Sequence, residues 1–365
     1  MRPRAALATF LLALAALGCP PPPFHGDPSS RTSYNHSQNS TLSTWFQGTD
    51  GASGLWSTTV GNFRYVLAGT NRGLRIQSLD ASGIHVDVDG PTVATGALQR
   101  DVETYGSYAY LCSNATGPVQ GVLIVDLSAL PAKATVAGAF TPQDGDPKAI
   151  NLSIDAARGL LFLQRSQGVE VWDLKADPLH PAYVARFAAD APVSDLVTQD
   201  EKLYVAEGSA KRFSIWDVHD PAHAAMLARW SVPGFANSIW PREDGQVLGT
   251  LDETAAAPVK FWAANAQSQV VPAGTWNLDG QTLATSIKVR GDWAYIAHRQ
   301  AGLVVLRLTD LSKPTFWARF DGPFETPEPA LRETREVLLI GDPRFQPSSI
   351  ILADGAKGLV QVTVY

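Results

Sequence analysis

The sequence predicts an all-β fold, a seven-bladed β-propeller built from four-stranded blades. Three observations lead to this prediction: a short strand motif recurs seven times, a second strand motif follows each copy, and the copies start 42 to 56 residues apart. The first motif reads aromatic, any residue, aliphatic, small, and its copies begin at Arg64, Tyr108, Leu160, Lys202, Gln246, Trp293 and Ser349. A unit of this length that contains only strands cannot bury both faces alone, so its copies must stack.

Each unit contains three further strand segments. The second motif usually opens with glycine, as in residues 121–126 and 168–173, and a turn that often contains proline follows it, as at Asp177-Pro178. Proline ends the strand because it fixes φ and lacks an N–H group. A third segment then closes on an aromatic residue: Phe140, Phe187, Trp230, Trp276 or Phe320. A short apolar segment precedes each first motif, which gives the four strands of a propeller blade. Radial closure is preferred over a linear β-solenoid, whose rungs are normally shorter.

The two ends of the chain are expected to meet in the last blade. The seventh unit stops at Tyr365, directly after its third strand, and an N-terminal segment from Leu42 to Phe46 carries the aromatic residue Trp45. We expect this segment to supply the missing fourth strand of the last blade. Such a closure would remove two open sheet edges that favour aggregation.

The N-terminus has the pattern of a lipoprotein-type signal peptide. Arg2 and Arg4 precede an apolar run, residues 5–17, that ends just before Cys19 and is too short to span a bilayer stably. At this position Cys19 resembles the acylated cysteine of a bacterial lipoprotein. An ordinary signal peptide with an incidental cysteine at its junction is the alternative.

Three segments follow from this pattern. We expect a signal peptide over residues 1–18, a tether rich in Pro, Ser and Asn over residues 19–41, and the propeller domain over residues 42–365. Lipid chains on Cys19 would hold the tether on a membrane, and stable anchoring requires more than one chain. The expected location is therefore the cell envelope, as an outer-membrane lipoprotein that faces the periplasm or the exterior.

Composition restricts the classes of partner. Removing residues 1–18 deletes two basic residues and no acidic one, which leaves 27 basic against 35 acidic residues and a formal net charge of −8. An acidic domain without a basic stripe repels phosphate backbones, so we expect no nucleic-acid partner. We also expect a monomer. The chain has two cysteines, Cys19 and Cys112. For Cys112, the role of a small buried thiol is favoured over that of a nucleophile.

Candidate binding residues are expected at the mouth of the central channel. In a propeller, the turns between second and third strands and the connections between blades open on one face. Mixed charges at these positions and at the starts of the inner strands suit recognition of a polar ligand, although any solvated turn carries such residues. The candidates are Arg72, Asp101, Arg165, Asp195, Glu207, Asp252, His298, Arg299 and Glu336.

Three of these candidates fall at equivalent positions of different blades. Asp101, Asp195 and Glu336 each stand near the start of an inner strand. Carboxylates from separate blades can converge on the channel axis and bind Ca²⁺, or act as acid and base in glycoside cleavage. The alternative is an ion pair or hydrogen bond repeated to fix each inner strand. Repetition at one position favours the alternative, because packing is copied from blade to blade whereas catalysis breaks the symmetry.

The wording of the repeat resembles a known family. The segment Val122-Leu123-Ile124-Val125-Asp126, preceded by Tyr108-Ala109-Tyr110-Leu111, is similar to the LVIVD repeat of bacterial surface and secreted propeller proteins. The resemblance extends from about Trp56 to Tyr365. The fifth unit departs from it, with the sequence QVLGT from Gln246 and no Asp after Trp262. The resemblance implies a propeller of the cell surface or envelope and supplies no catalytic residues, because a fold alone does not define a function.

The sequence therefore favours a lipid-anchored propeller that acts as a non-catalytic binding scaffold for a protein or polysaccharide ligand. The alternative is a hydrolase or lyase acting on a saccharide or lactone, with acidic groups among Asp101, Asp195, Asp252 and Glu336. No cofactor is expected for the scaffold, and Ca²⁺ is the candidate cofactor for the enzyme.

Overall fold

The computed structural model of the protein describes residues 40–47, 51–80, 83–85, 93–94, 99–113, 121–146, 148–187, 191–253, 257–265, 269–277, 284–299, 302–320, 334–341, 347, 349–355 and 358–364. The predicted signal peptide and the predicted site of lipid attachment at Cys19 lie outside these ranges. Among the described residues, no helix has the length and the apolar character needed to cross a membrane.

The described strands form seven antiparallel sheets in a ring, one for each blade, which confirms the predicted all-β propeller. The N-terminal strand is β1 (Ser40–Gln47), and the first blade contains β2 (Ala52–Val60), β3 (Phe63–Thr70), β4 (Gly73–Asp80), β5 (Gly83–His85) and β6 (Val93–Ala94). Blade 2 contains β7 (Gln99–Tyr105), β8 (Tyr108–Ser113), β9 (Val122–Asp126) and β10 (Thr135–Phe140). Blade 3 contains β11 (Leu152–Asp155), β12 (Leu160–Gln164), β13 (Val169–Asp173) and β14 (Ala182–Phe187).

The remaining blades follow in chain order. Blade 4 contains β15 (Asp195–Gln199), β16 (Lys202–Glu207), β17 (Arg212–Asp217) and β18 (Ala225–Ser231), with 3₁₀ helices at Gly208–Ala210 and Pro221–His223. Blade 5 contains β19 (Ala236–Pro241), β20 (Val247–Asp252), β21 (Val259–Ala264) and β22 (Val270–Trp276). Blade 6 contains β23 (Ala284–Arg290), β24 (Trp293–His298), β25 (Gly302–Arg307) and β26 (Thr315–Phe320). Blade 7 contains β27 (Thr334–Ile340), β28 (Ser349–Asp354) and β29 (Gly358–Val364).

The N-terminal strand closes the ring as predicted. β1 pairs antiparallel with β29, from Ser40 opposite Val364 to Gln47 opposite Gly358. Blade 7 therefore takes three strands from the end of the chain and its fourth from the beginning. This pairing covers edges of β1 and β29 that would otherwise be open to other chains.

The core lies between the blades. Buried hydrophobic residues form seven clusters, and each cluster combines two neighbouring blades of the described ring. One cluster joins blade 7 to blade 1, with Ile351 and Ala353 against Leu55 and Val66. The middle strands of a blade are buried on both faces, as all five residues of β12 show. This arrangement explains why the second motif is apolar throughout in several copies.

The closing aromatic residues mediate contacts between blades. Phe140 of blade 2 lies with its ring centroid 4.7 Å from that of Trp172 on the third strand of blade 3. The same contact recurs between blades 3 and 4 and between blades 4 and 5, at 5.2 and 5.5 Å. The aromatic spacing of the repeat therefore reflects inter-blade packing.

The irregular fifth unit retains its four strands, although its second strand lacks the aromatic side chain of the repeat. The inner strand of the same blade carries an aromatic side chain instead. Gly249 stands in β20 where four other units carry an aromatic residue, namely Tyr110, Phe162, Tyr204 and Tyr295. Trp240 on the inner strand lies directly opposite Gly249. A side chain at Gly249 would meet Val289 and Ile287 of blade 6, at 2.7 and 2.8 Å from the added Cβ. In this unit the aromatic side chain, Trp240, therefore lies on the inner strand beside the channel.

Candidate functional site

The inner strands of all seven blades surround a cavity in the central channel. The cavity has a volume of about 460 Å³, which falls within the range of small-molecule sites. Its lining contains charged, polar and aromatic side chains, with at least one residue from each blade. The candidates Asp101, Asp195, Arg299 and Glu336 all line this cavity.

The three inner-strand acids occupy one register. Asp101 pairs with Cys112, Asp195 with Ala206, and Glu336 with Ala353. Each partner is the penultimate residue of the second strand of its blade.

Two of these carboxylates bond to the next blade. The inner strand of each blade is a sheet edge, so its outward N–H groups lack partners within the sheet. Asp101 Oδ2 accepts a hydrogen bond from the Leu152 backbone N–H of blade 3, at 3.0 Å. Two residues further along the same strand, Glu103 Oε2 accepts from the Ile154 N–H at 2.7 Å. The carboxylates of blade 2 thus satisfy the free donors of blade 3.

Asp195 of blade 4 bonds to three blades. Its Oδ1 accepts from Leu196 N of its own strand at 2.9 Å and from Asn151 Nδ2 of blade 3 at 2.8 Å. Its Oδ2 accepts from Ser238 Oγ and Ile239 N of blade 5, at 2.8 and 3.1 Å. Four donors therefore hold this carboxylate in place.

A second set of bonds runs along the channel at the preceding residue of four inner strands, those of blades 4 to 7. Asn237 Nδ2 of blade 5 donates to the carbonyl oxygen of Ala284 in blade 6 at 3.0 Å. Thr285 Oγ1 of blade 6 donates to the carbonyl oxygen of Thr334 in blade 7 at 2.9 Å. Further members at this position are Ser194 to Ala236 O and Arg335 Nη1 to Ser53 Oγ. Each bond runs from one blade to the next, as expected of packing that copies itself.

Burial raises the pKa values of the channel acids. The pKa of Asp101 rises to about 7 and that of Asp195 to about 6, mainly because the channel wall removes water and secondarily because the negative charge of Glu336 is near. The pKa of Glu103 also lies well above its usual value, through burial and the charge of Asp101. Shifts of this kind are common at functional sites and also occur in structural networks.

Lys288 lies among the channel acids. Its Nζ lies 3.3 Å from Glu336 Oε1 and 3.6 Å from the ring centroid of Trp240. The lysine charge lowers the pKa values of Asp101, Glu103 and Asp195, in opposition to burial.

A second cavity of about 290 Å³ adjoins the first. Trp56, Trp240 and Lys288 line both cavities. Further lining residues of the second cavity include Val337, Leu338 and Leu339, so its wall is more apolar. The two tryptophans and the lysine therefore stand where the two parts of the channel meet.

The other sequence candidates lie elsewhere. Arg72 is exposed, whereas Arg165, Glu207, Asp252 and His298 are buried, and none of the five lines either channel cavity. For Arg165, Glu207 and Asp252 the reason is that the second strand of the blade ends inside the sheet, so these side chains bond to their own blade or to an adjoining loop.

Three of the buried candidates have ionic partners. Glu207 accepts from Arg212 Nε at 2.5 Å and from Arg229 Nε at 3.2 Å. Asp252 pairs with Lys260 Nζ at 2.5 Å. Arg165 is fully buried and bonds to Asp144.

The sequence analysis missed several lining residues. Glu103 and Lys288 stand two residues after the register position of blades 2 and 6, and side chains two apart on a strand share a face. This two-residue period of the strand was the signal by which the sequence could have predicted both residues. Trp240 was also missed, and its signal was the unusual Gly249 opposite it.

Two features of the described residues bear on metal binding and on thiol chemistry. No group of three or more His, Cys, Asp and Glu side chains among them could hold a metal ion. Cys112 is buried, and burial raises the pKa of its thiol well above the usual value. A thiol in this state is a poor nucleophile.

The closed ring and its polar channel define a seven-bladed β-propeller. Residues 282–322, which span blade 6, match the LVIVD repeat family, so the resemblance to that repeat is confirmed there. No curated protein matches the chain in sequence.

Among solved structures, 1345 chains match. One belongs to a structure titled "Crystal Structure of Mitotic Checkpoint Complex", with 15% identity and a TM-score of 0.63, over 94% of this chain and 96% of that chain. At this identity the likeness shows the fold alone.

Proposed function

We propose that this protein is a non-catalytic binding scaffold of the cell envelope, which takes a protein or polysaccharide ligand at the mouth of its central channel. The observation that carries the proposal is the cavity of about 460 Å³, to which every blade contributes. A concave site with a few convergent polar groups and aromatic rings is the usual form of a ligand site.

The bonding of the channel acids supports a scaffold over an enzyme. Asp101 and Asp195 accept backbone N–H groups of the following blade. A general acid or base needs a free oxygen within hydrogen-bond reach of its substrate. Carboxylates that already hold two blades together are poorly suited to that task.

The binding test uses the purified full chain on arrays of envelope polysaccharides and of peptides. The cavity variant Trp240→Leu removes a ring from the channel, and Arg64→Ala removes an exposed charge at the start of β3. We expect a ligand that wild type and Arg64→Ala bind equally and that Trp240→Leu binds at least tenfold more weakly. Absence of any ligand, or equal binding by all three chains, would contradict the proposal.

Location in the envelope rests on the N-terminal sequence. Lipid on Cys19, followed by a proline-rich tether, would hold the ring at a membrane surface. The test expresses wild type and Cys19→Ser in a bacterium and follows incorporation of a fatty-acid label. Wild type should carry the label and sediment with membranes, whereas Cys19→Ser should not. Label on the variant, or none on the wild type, contradicts the anchor.

The alternative is a hydrolase or lyase acting on a saccharide or lactone. The raised pKa values of Asp101 and Asp195, about 7 and about 6, favour it, since a catalytic acid works best near the ambient pH. Turnover of a bound saccharide by wild type, lost in a folded Asp101→Asn variant, would establish the enzyme in place of the scaffold.

A further inference from the structure

Acidic and basic groups balance formally on the wall of the channel cavity. Four acidic residues line it, Asp101, Glu103, Asp195 and Glu336, and four basic ones, Arg100, Lys288, Arg299 and Arg335. The two sets differ in how their charged groups are bonded, and this difference decides what the cavity offers to a ligand.

The acids are bonded within the wall. Asp101, Glu103 and Asp195 each accept a backbone N–H of the following blade. Glu336 accepts from Ser286 Oγ at 2.7 Å and lies 3.3 Å from Lys288 Nζ. Their oxygens therefore serve the contacts between blades. Raised pKa values for Asp101 and Glu103 reduce the negative charge further at neutral pH.

The guanidinium groups of Arg100 and Arg299, on the same wall, contrast with these acids. Among the described residues, no ion pair or side-chain hydrogen bond involves Arg100 or Arg299, although both line the cavity. Burial lowers the pKa of Arg100, and the nearby charge of Arg335 lowers it further. Blades 2, 6 and 7 thus bring three guanidinium groups to one cavity.

Like charges held together in a partly desolvated site are destabilising until an anion joins them. The planar fork of a guanidinium matches a carboxylate through two parallel hydrogen bonds, which makes arginine the usual residue for such recognition. The basic groups therefore present an anion site, although the protein as a whole carries a formal charge of −6. Salt at physiological concentration screens that distant charge beyond about 8 Å.

We infer that the channel mouth binds a carboxylated sugar, the uronate unit of an acidic polysaccharide, through Arg100, Arg299 and Arg335. This inference rests on the proposed scaffold function and names its ligand class. The ring of Trp56 lies on the same cavity and offers a flat apolar face, against which the C–H face of a sugar ring can pack. A cavity of about 460 Å³ accommodates one or two sugar units.

The experiment measures binding of the full chain by calorimetry. The probes are oligogalacturonate, oligoglucuronate and the fully methyl-esterified form of each, which keeps the ring and the size but lacks the charge. We expect at least one uronate to bind and its ester to bind at least tenfold more weakly, since a charge-assisted pair contributes about that factor. This comparison requires no protein variant and does not depend on how a variant folds.

Variants test the residues. Arg100→Ala and Arg299→Ala should each weaken uronate binding about tenfold, and Arg64→Ala, an exposed arginine outside the cavity, should bind as wild type does. Equal loss in Arg64→Ala would indicate general charge attraction and overturn the assignment. So would unchanged binding in both cavity variants.

Other outcomes separate this inference from the scaffold proposal. Equal binding of acid and ester would overturn the anion site and leave the scaffold intact. Binding of inorganic phosphate, or of a peptide with a free terminal carboxylate, as tightly as the uronate would overturn the sugar assignment. Failure of both uronates overturns the inference, whereas the scaffold proposal falls only if the arrays yield no ligand of any kind.

Discussion

The carboxylate of Asp195, on the inner strand of blade 4, accepts a hydrogen bond of 3.1 Å from the backbone N–H of Ile239, on the inner strand of blade 5. Ile239 lies on a strand edge whose outward donors have no partner in their own sheet. The Asp195 carboxylate thus links two blades, and its removal should lower the free energy of unfolding.

Asp195→Ala should lower the free energy of unfolding by about 1–3 kcal/mol, the usual cost of leaving a buried polar group without a partner. Urea denaturation followed by tryptophan fluorescence measures the change. Glu253→Ala, which removes an exposed carboxylate, is the matched control and should stay within about 0.5 kcal/mol of wild type. Equal stability of the two variants would show that the inter-blade bonds of Asp195 contribute nothing.

Stability should fall as the pH rises from about 5 to about 8. The folded pKa of Asp101 is about 7 and that of Asp195 about 6, against a usual value of 3.8. Between these values the folded state binds more protons than the unfolded state, so raising the pH favours unfolding. The opposite slope should follow below about pH 4, where Asp144 and Asp244, whose pKa values are lowered, lose their arginine partners.

The variant Asp101→Asn identifies the source of this dependence. Asparagine stays neutral, so the slope between pH 5 and pH 8 should flatten while the fold persists. Urea denaturation at several pH values measures it. A slope equal to that of wild type would exclude Asp101 as a contributor.

Lys288→Met should make the pH dependence steeper. The lysine charge lowers the pKa values of Asp101, Glu103 and Asp195, so its loss should raise all three. The loss of stability at pH 7 should be about 1–2 kcal/mol, from Glu336 and the Trp240 ring together. Lys288→Arg keeps the charge and serves as the control. A Met variant with the pH profile of the Arg variant would contradict the electrostatic role.

A chain that begins at residue 48 should unfold at a lower urea concentration and self-associate. It lacks β1, which pairs with β29 over seven positions, and it exposes the edge of β29. Light scattering after size-exclusion chromatography detects the association, and a chain that begins at Ser40 is the control. Addition of a peptide of residues 40–47 should reverse the effect. A truncated chain that remains monomeric and equally stable would show that the closing strand is dispensable.

Gly54→Ala should weaken the interface between blades 1 and 2. A Cβ at this position would lie 2.6 Å from the carbonyl oxygen of Arg100 and 2.6 Å from the Cα of Asp101, both backbone atoms. Such overpacking costs about 1–3 kcal/mol, measured by urea denaturation. Gly138→Ala, whose nearest neighbour would be 3.6 Å away, should be neutral or slightly stabilising. Comparable losses in both variants would point to backbone effects and not to the close approach of the blades.

The repeat was readable from sequence because packing copies itself. Phe140 and its equivalents meet a tryptophan of the next blade, and selection for one contact at each interface leaves a period in the chain. The closure by residues 42–46 was also predictable, since the last unit lacked a strand. The departure at Gly249 was visible, but its compensation by Trp240 was not, because the two residues meet only across paired strands.

The sequence by itself determined the architecture: a ring of four-stranded blades, the order of strands, the strand that closes the ring and the common register of Asp101, Asp195 and Glu336. These features follow from local periodicity and hydrophobic pattern, which each segment carries within itself. Only the tertiary structure decided which polar side chains share the channel. It placed Lys288, Arg100 and Arg299 in one cavity with the acids. It buried Glu207 in blade 4 and Asp252 in blade 5. Side chains from seven blades converge only when the ring closes, so no local sequence pattern predicts which of them meet.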